Sequence, residues 1–118
     1  MKTVTMYRHS MLWTPPGKAN DPSTWIDPSA WHRNYRGPHM NPNTKTGQMN
    51  IIFAIDARTN HNMLRTNETM VRFYEEVAAR VGMQNPGRVA RAYFKSHLNE
   101  RFLVEVTVTV DDKQQVVA

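Results

Sequence analysis

The placement of proline and tryptophan is the feature that most constrains how this chain can fold. All but one of the seven prolines, and all three tryptophans, lie before residue 50. Proline lacks a backbone N–H and fixes φ, so a segment rich in it cannot form long helices or central strands. We therefore expect an irregular segment or arm over 14–50 and a globular α+β core over 51–118. The 118 residues are expected to form a single domain.

Hydrophobic alternation predicts strands in three places. Residues 49–57 carry Ile51, Phe53 and Ile55 at alternate positions, which is typical of a central strand. Residues 101–110 alternate strictly, with Phe102 and four valines on one face and mostly polar residues on the other, so we expect one buried and one wet face. Residues 3–13 are expected to add a further strand.

Helical spacing is clearest over residues 66–82. Thr66 or Asn67 is suited to cap the start, and Gly82 to end the helix. Residues 85–102 fit either a helix from Pro86 through Leu98 or a strand over 88–96 that turns back into 101–110, and we favour this hairpin because no clean apolar stripe is evident.

Together these patterns predict an α+β fold of two layers. Its mainly antiparallel sheet would have three to four strands with one long helix on a face, preceded by the long Pro/Trp-rich irregular N-terminal segment.

The composition excludes several kinds of chemistry. The chain has no cysteine, which removes disulfides, iron–sulfur clusters, thiol nucleophiles and Cys-ligated zinc. Five histidines are scattered without the H-E-x-x-H spacing of a zinc peptidase, so no cofactor and no metal site is expected. The N-terminus lacks an apolar signal stretch, and the longest apolar run, 51–55, is too short to cross a bilayer. We expect a soluble cytoplasmic protein with no membrane partner.

The charge distribution points to an anionic partner. The net charge is +5, and cationic side chains exceed acidic ones by six to two over residues 1–50 and by five to one over 80–101. Such basic stretches favour nucleic acid, either RNA or DNA, with an acidic protein surface as the alternative.

Two consecutive Asp-Pro-Ser turns occupy residues 20–31, and each is followed closely by a tryptophan. Their indoles either stack on bases or pack against the sheet. The adjoining stretch 31–39 interleaves aromatic, cationic and imidazole groups, which suits phosphate and base contacts and also the rim of a protein interface. The predicted nucleic-acid contacts in this part of the chain are Trp25, Trp31, His32, Arg33, Tyr35 and Arg36.

A second predicted contact region is Arg88, Arg91 and Lys95. On a helix the three cations would share one face and form a stripe for the phosphate backbone. On a strand only Arg91 and Lys95 would point the same way. A solvated face that keeps the domain soluble fits the same pattern.

These observations lead to three hypotheses of function. The first is a small basic non-enzymatic protein that binds nucleic acid through its N-terminal segment and the stretch 86–97. The alternative is an assembly, coat-like or accessory subunit, or a homo-oligomer, whose arm over 14–50 docks on a neighbouring subunit or partner protein. The third is a nuclease that uses His32 and His39 as acid and base, with a nearby arginine on the phosphate.

Overall fold

The computed structural model of the chain describes residues 1–9, 41–60, 63–100, 102–113 and 115–117, apart from the side chain of Arg58. Five elements follow in chain order: β1 (Lys2–His9), α1 (Lys45–Thr59), α2 (Asn67–Arg80), α3 (Pro86–Asn99) and β2 (Leu103–Val110). The paired Asp-Pro turns and the stretch 31–39 lie outside the described residues.

The described residues form one antiparallel pair of strands and three helices. β1 pairs with β2 so that Lys2 lies opposite Val110 and His9 lies opposite Leu103. The expectation of a three- to four-stranded sheet with one long helix was therefore wrong. The fold still mixes α and β structure, but most of it is helical.

The stretch expected to be a central strand, 49–57, lies inside α1. Buried side chains surround this helix on most sides: Met49, Ile51, Phe53, Ala54, Asp56 and Ala57. A helix that is apolar nearly all round has no helical periodicity to detect, and the chance alternation of Ile51, Phe53 and Ile55 resembled a strand. The hydroxyl of Thr44 accepts a hydrogen bond from the backbone N–H of Gly47 at 3.0 Å and caps the helix start. This cap lies inside the segment that was expected to be irregular.

The hairpin expected over 85–102 is also wrong, because this stretch forms α3. Pro86 occupies the first turn, where its missing N–H costs nothing. The inward stripe of α3 consists of Val89, Ala90, Tyr93, Phe94, His97 and Leu98, all buried or half-buried. Sequence reasoning overlooked this stripe because it includes a histidine and an alanine, which do not stand out as core residues.

The helix expected over 66–82 is confirmed as α2. The Thr66 hydroxyl accepts from the backbone N–H of Thr69, and Glu68 lies in the first turn, where the helix dipole favours a negative charge. Gly82 follows with φ +86, a conformation that favours glycine. None of the described helices is long and apolar enough to cross a membrane.

The hydrophobic core lies between the helices and one end of the sheet. Tyr7, His9 and Leu103 are buried there, and the ring of Tyr7 packs edge-on against Phe94 at 5.0 Å. The strands predicted near 3–13 and 101–110 are found as β1 and β2, but Leu103, expected on the exposed face, is buried against the core, while Glu105 and Thr107 on the same face are exposed. The opposite face, which we call the valine face, carries Val4, Met6, Val104, Val106 and Val108, which are half-buried, and Val110, which is buried; all of them lie outside the main core cluster.

Candidate nucleic-acid interface

The exposed side of α3 carries Arg88, Arg91 and Lys95, which we call the basic face. All three side chains are exposed, and their spacing of three and four residues places them within one narrow sector of the helix. No acidic residue occurs in α3. Of the two geometries considered for this stretch, the structure has the one that brings all three cations together.

Small residues flank one side of the basic face. Ala92 and Ser96 are exposed there, so an extended ligand can approach the cations from this side without meeting bulky groups. Two acidic residues lie near the basic face: Glu75 on α2, and Glu100, whose Oε1 accepts a hydrogen bond from the Ser96 hydroxyl at 3.4 Å. A Cβ placed on Gly87 would lie 3.5 Å from Nη1 of Arg91 and 3.7 Å from Oε1 of Glu75, so both groups border the same space.

Within the described ranges, no exposed aromatic side chain is available to stack on a base. All seven aromatic side chains within the described ranges are buried or half-buried, and several pack against one another in the core. The basic face therefore offers phosphate contacts alone. The predicted stacking and basic residues Trp25, Trp31, His32, Arg33, Tyr35 and Arg36 lie outside the described residues, so their predicted contacts stay predictions.

A buried ionic cluster lies where β1, α1 and the start of α2 meet. The guanidinium of Arg65 donates to both carboxylate oxygens of Asp56, at 2.9 and 3.1 Å, and Nδ2 of Asn60 donates to Oδ1 at 3.0 Å. Nε2 of His9 lies 2.9 Å from Oδ2, at ion-pair distance but without the alignment of a hydrogen bond. Arg65 also stacks over the ring of Phe73, 4.8 Å from its centroid.

Electrostatics keep the Asp56 carboxylate charged. Burial acts to raise its pKa, but the neighbouring His9, Arg65 and Asn60 outweigh burial and hold the pKa well below its usual range. Backbone hydrogen bonds in both directions between Tyr7 and Arg65 attach this cluster to β1.

A second buried pair, Tyr74 and His97, adjoins the ionic cluster. The Tyr74 hydroxyl and Nδ1 of His97 share a hydrogen bond of 2.9 Å, and the rings of His9 and Tyr74 are 5.9 Å apart. Burial, and then the nearby His9, lower the pKa of His97 to about 4, so the imidazole is neutral at pH 7. Burial, and then the charge of Asp56, raise the pKa of Tyr74 well above its usual value.

Four aromatic rings surround His97, with centroids 5.3 to 5.5 Å from its own: Phe53, Tyr74, Tyr93 and Phe102. His9 is 2% exposed and His97 is 8% exposed. A general base or acid must reach the proton it transfers, and neither imidazole is open to a substrate. We therefore assign the two buried groups, namely the ionic cluster around Asp56 and the Tyr74–His97 pair, to the stability of the fold.

Sequence reasoning did not find these clusters. Their members come from β1, α1, α2, α3 and a loop, and only Asp56 and Asn60, four residues apart at the end of α1, are related by a local spacing. One signal was available: Asp56 is a single carboxylate at the end of the most apolar run in the chain, and a charge in such a run requires a buried partner.

Comparison with known proteins returned no match to a family model, a curated protein or a solved structure. Within the described ranges, no three histidine, aspartate or glutamate residues are grouped so that they could hold a metal ion.

Proposed function

We propose that this protein binds nucleic acid without enzymatic activity and contacts the phosphate backbone through the basic face. The observation that carries the proposal is the alignment of Arg88, Arg91 and Lys95 on the exposed side of a helix that contains no acidic residue. Lysine and arginine contacts to phosphates supply most non-specific affinity for nucleic acid.

The dimensions of the basic face suit a nucleic-acid backbone. Lys95 lies seven positions after Arg88, which corresponds to about 10 Å along the helix axis. The major groove of B-DNA is about 12 Å wide and admits one helix with cations against the phosphates on its walls. Asn99, also exposed on this side, adds a neutral hydrogen-bonding group.

The proposal extends to the N-terminal segment and to the location of the protein. Trp25, Trp31 and Tyr35 would stack on bases, while His32, Arg33 and Arg36 would contact phosphates beside them. An intracellular, cytoplasmic location fits such a partner. RNA and DNA both remain candidate ligands, because the basic face would contact phosphates, which both contain, and has no aromatic group that could contact the bases.

The test is a triple variant that replaces the three cations by neutral residues: Arg88→Gln, Arg91→Gln and Lys95→Gln. Binding of a fluorescent 20-base-pair oligonucleotide would be followed by anisotropy between about 50 and 200 mM salt, where each phosphate contact adds roughly 0.9 to the slope of log K against log salt. We expect wild-type binding to weaken steeply with salt, and the triple variant to lose up to about 2.7 of that slope.

A matched variant controls for net charge. Arg72→Gln, Arg80→Gln and Lys113→Gln remove three exposed cations that lie outside the basic face, so both variants reduce the net charge from +5 to +2. This control should keep most of the affinity and slope. Equal losses in the two variants would mean that binding depends on net charge and not on the basic face. A wild type that does not bind at low salt would refute the proposal.

A further inference from the structure

The two outer edges of the sheet differ. The outer edge of β2 is partly covered by the end of the chain, because Val117 donates its backbone N–H to the carbonyl of Thr109 at 2.8 Å and Val116 pairs with Val110. Among the described residues, the outer edge of β1 is covered only at Tyr7, whose N–H and carbonyl both bond to Arg65. Within that part of the chain, residues 2–6 of β1 therefore present an open edge.

The direction of the free backbone groups follows from the bonds of Tyr7. Because successive residues of a strand point their N–H and C=O groups in opposite directions, Thr3 and Thr5 point outward as Tyr7 does. Both threonines are exposed, and within the described ranges their N–H and C=O groups have no partner. An edge of this kind is a template for another strand.

We propose that this edge pairs with the same edge of a second copy of the chain, antiparallel and centred on Val4. Thr3 would then face Thr5 of the partner subunit, and Thr5 would face Thr3 of the partner subunit, which forms four backbone hydrogen bonds. Arg65 selects this register: centring on Thr5 would direct Thr3 of the partner subunit, inside its strand, at Tyr7, whose groups are already bonded. Centring on Val4 places only Met1 of the partner subunit, outside the strand, opposite Tyr7. Centring on Thr3 would leave Thr5 opposite Met1 of the partner subunit, beyond the end of the strand.

The valine face favours a second copy as the occupant, and charge does not oppose it. Lys2 is the one charged side chain on the open edge, and the two copies of it would stand about 14 Å apart, beyond the Debye length of about 8 Å. A two-stranded sheet is marginally stable alone. Pairing would form a four-stranded sheet with two strands from each subunit, and the two valine faces would join into one apolar surface.

Proline variants test the edge. Thr5→Pro removes an outward N–H without removing a bond between β1 and β2. Thr107→Pro is the matched control, because Thr107 lies directly opposite Thr5 and its N–H points out of the other edge of the sheet. In sedimentation equilibrium we expect wild type to reach twice its mass of 13.7 kDa, Thr5→Pro to weaken the dimer at least tenfold, and Thr107→Pro to match wild type.

A cysteine variant tests the register without depending on a proline. Val4→Cys would place two thiols in a non-hydrogen-bonded pair with Cα atoms about 4.5 Å apart, within disulfide range. Val108→Cys, on the same face of β2, would leave its thiols about three strand spacings apart. Because the chain has no other cysteine, the covalent dimer on a non-reducing gel is a direct readout.

We expect rapid oxidation of Val4→Cys to a dimer and none for Val108→Cys. A wild type that stays monomeric at about millimolar concentration, equal effects of the two prolines, or equal oxidation of the two cysteines would overturn the proposal. These results are independent of nucleic-acid binding, since no residue of the basic face takes part.

Discussion

At the scale of single residues, Asp56 is the buried charge at the centre of the ionic cluster. Its carboxylate faces Arg65, Asn60 and His9, and these residues belong to three different parts of the chain. Removing one partner of a buried ion pair leaves the other charge uncompensated, which costs about 3–5 kcal/mol. We expect Asp56→Asn to lower the free energy of unfolding by about 3 kcal/mol in urea titrations followed by circular dichroism.

Asp112→Asn is the matched control for this substitution. Asp112 is exposed in the turn after β2, and surface substitutions of this kind usually change stability by less than about 0.5 kcal/mol. A similar small effect of Asp56→Asn would mean that the buried pair contributes little to stability.

Glu75 is the residue expected to moderate the basic face. Its carboxylate and the guanidinium of Arg91 border the same space beside Gly87, so Glu75 lowers the positive potential there. We expect Glu75→Gln to tighten oligonucleotide binding by roughly two- to fivefold at low salt, within the range of exposed ion pairs. Glu76→Gln, one residue further and equally exposed, is the control. Identical gains in both variants would assign the effect to net charge.

At the scale of elements, the sequence correctly predicted the elements whose hydrophobic residues repeat with one dominant period. β2 and α2 alternate or repeat clearly, and both were found within two residues of the expected bounds. α1 and α3 were missed because their inward faces depend on tertiary contacts: the first is buried over more than half of its circumference, and the second includes His97 in its stripe. The three cations of the basic face could be identified from their spacing in the sequence. They share one face only because this stretch forms a helix.

The start of α1 gives a prediction for an element. Ordinarily alanine stabilises a helix relative to glycine by about 1 kcal/mol. At Gly47, however, a Cβ would overlap the backbone of Asn41, in the turn that precedes the helix and includes its cap. We expect Gly47→Ala to lower the free energy of unfolding by about 1–3 kcal/mol, as overpacking does.

Gly87→Ala provides the comparison within α3. There the nearest atom to a new Cβ is Nη1 of Arg91, at 3.5 Å and at the end of a flexible side chain. This substitution should be neutral or slightly stabilising in the same urea titration. The reverse order of the two stabilities would contradict the close approach of Asn41 to α1.

At the scale of the whole molecule, the two buried groups join β1 to all three helices. Tyr7 and His9 connect the sheet to the loop before α2 and to α1, while Tyr74 and His97 connect α2 to α3. No sequence pattern could have predicted this, because each partner is far from the other in the chain. The stability of the molecule should therefore depend on the protonation of these groups.

Acidification should destabilise the fold through His97. Its pKa is about 4 in the folded chain and 6.5 as an ordinary value, so the unfolded chain takes up the proton first as the pH falls. The stabilisation is complete above about pH 6.5, and roughly 3 kcal/mol of it is lost between pH 6.5 and pH 4. Below about pH 4, protonation of Asp56 weakens the fold further, because its folded pKa is depressed and its stabilising effect is lost as the carboxylate is neutralised.

Urea titrations at several pH values, on wild type and His97→Gln, separate these contributions. Glutamine keeps a hydrogen-bonding group opposite the Tyr74 hydroxyl but does not titrate, so the difference between the two curves reports His97 alone. We expect the variant to be less stable than wild type at pH 7.5 and to lose much less stability between pH 6.5 and pH 4. Parallel curves would mean that His97 is protonated equally easily in both states, which is incompatible with its burial among four aromatic rings.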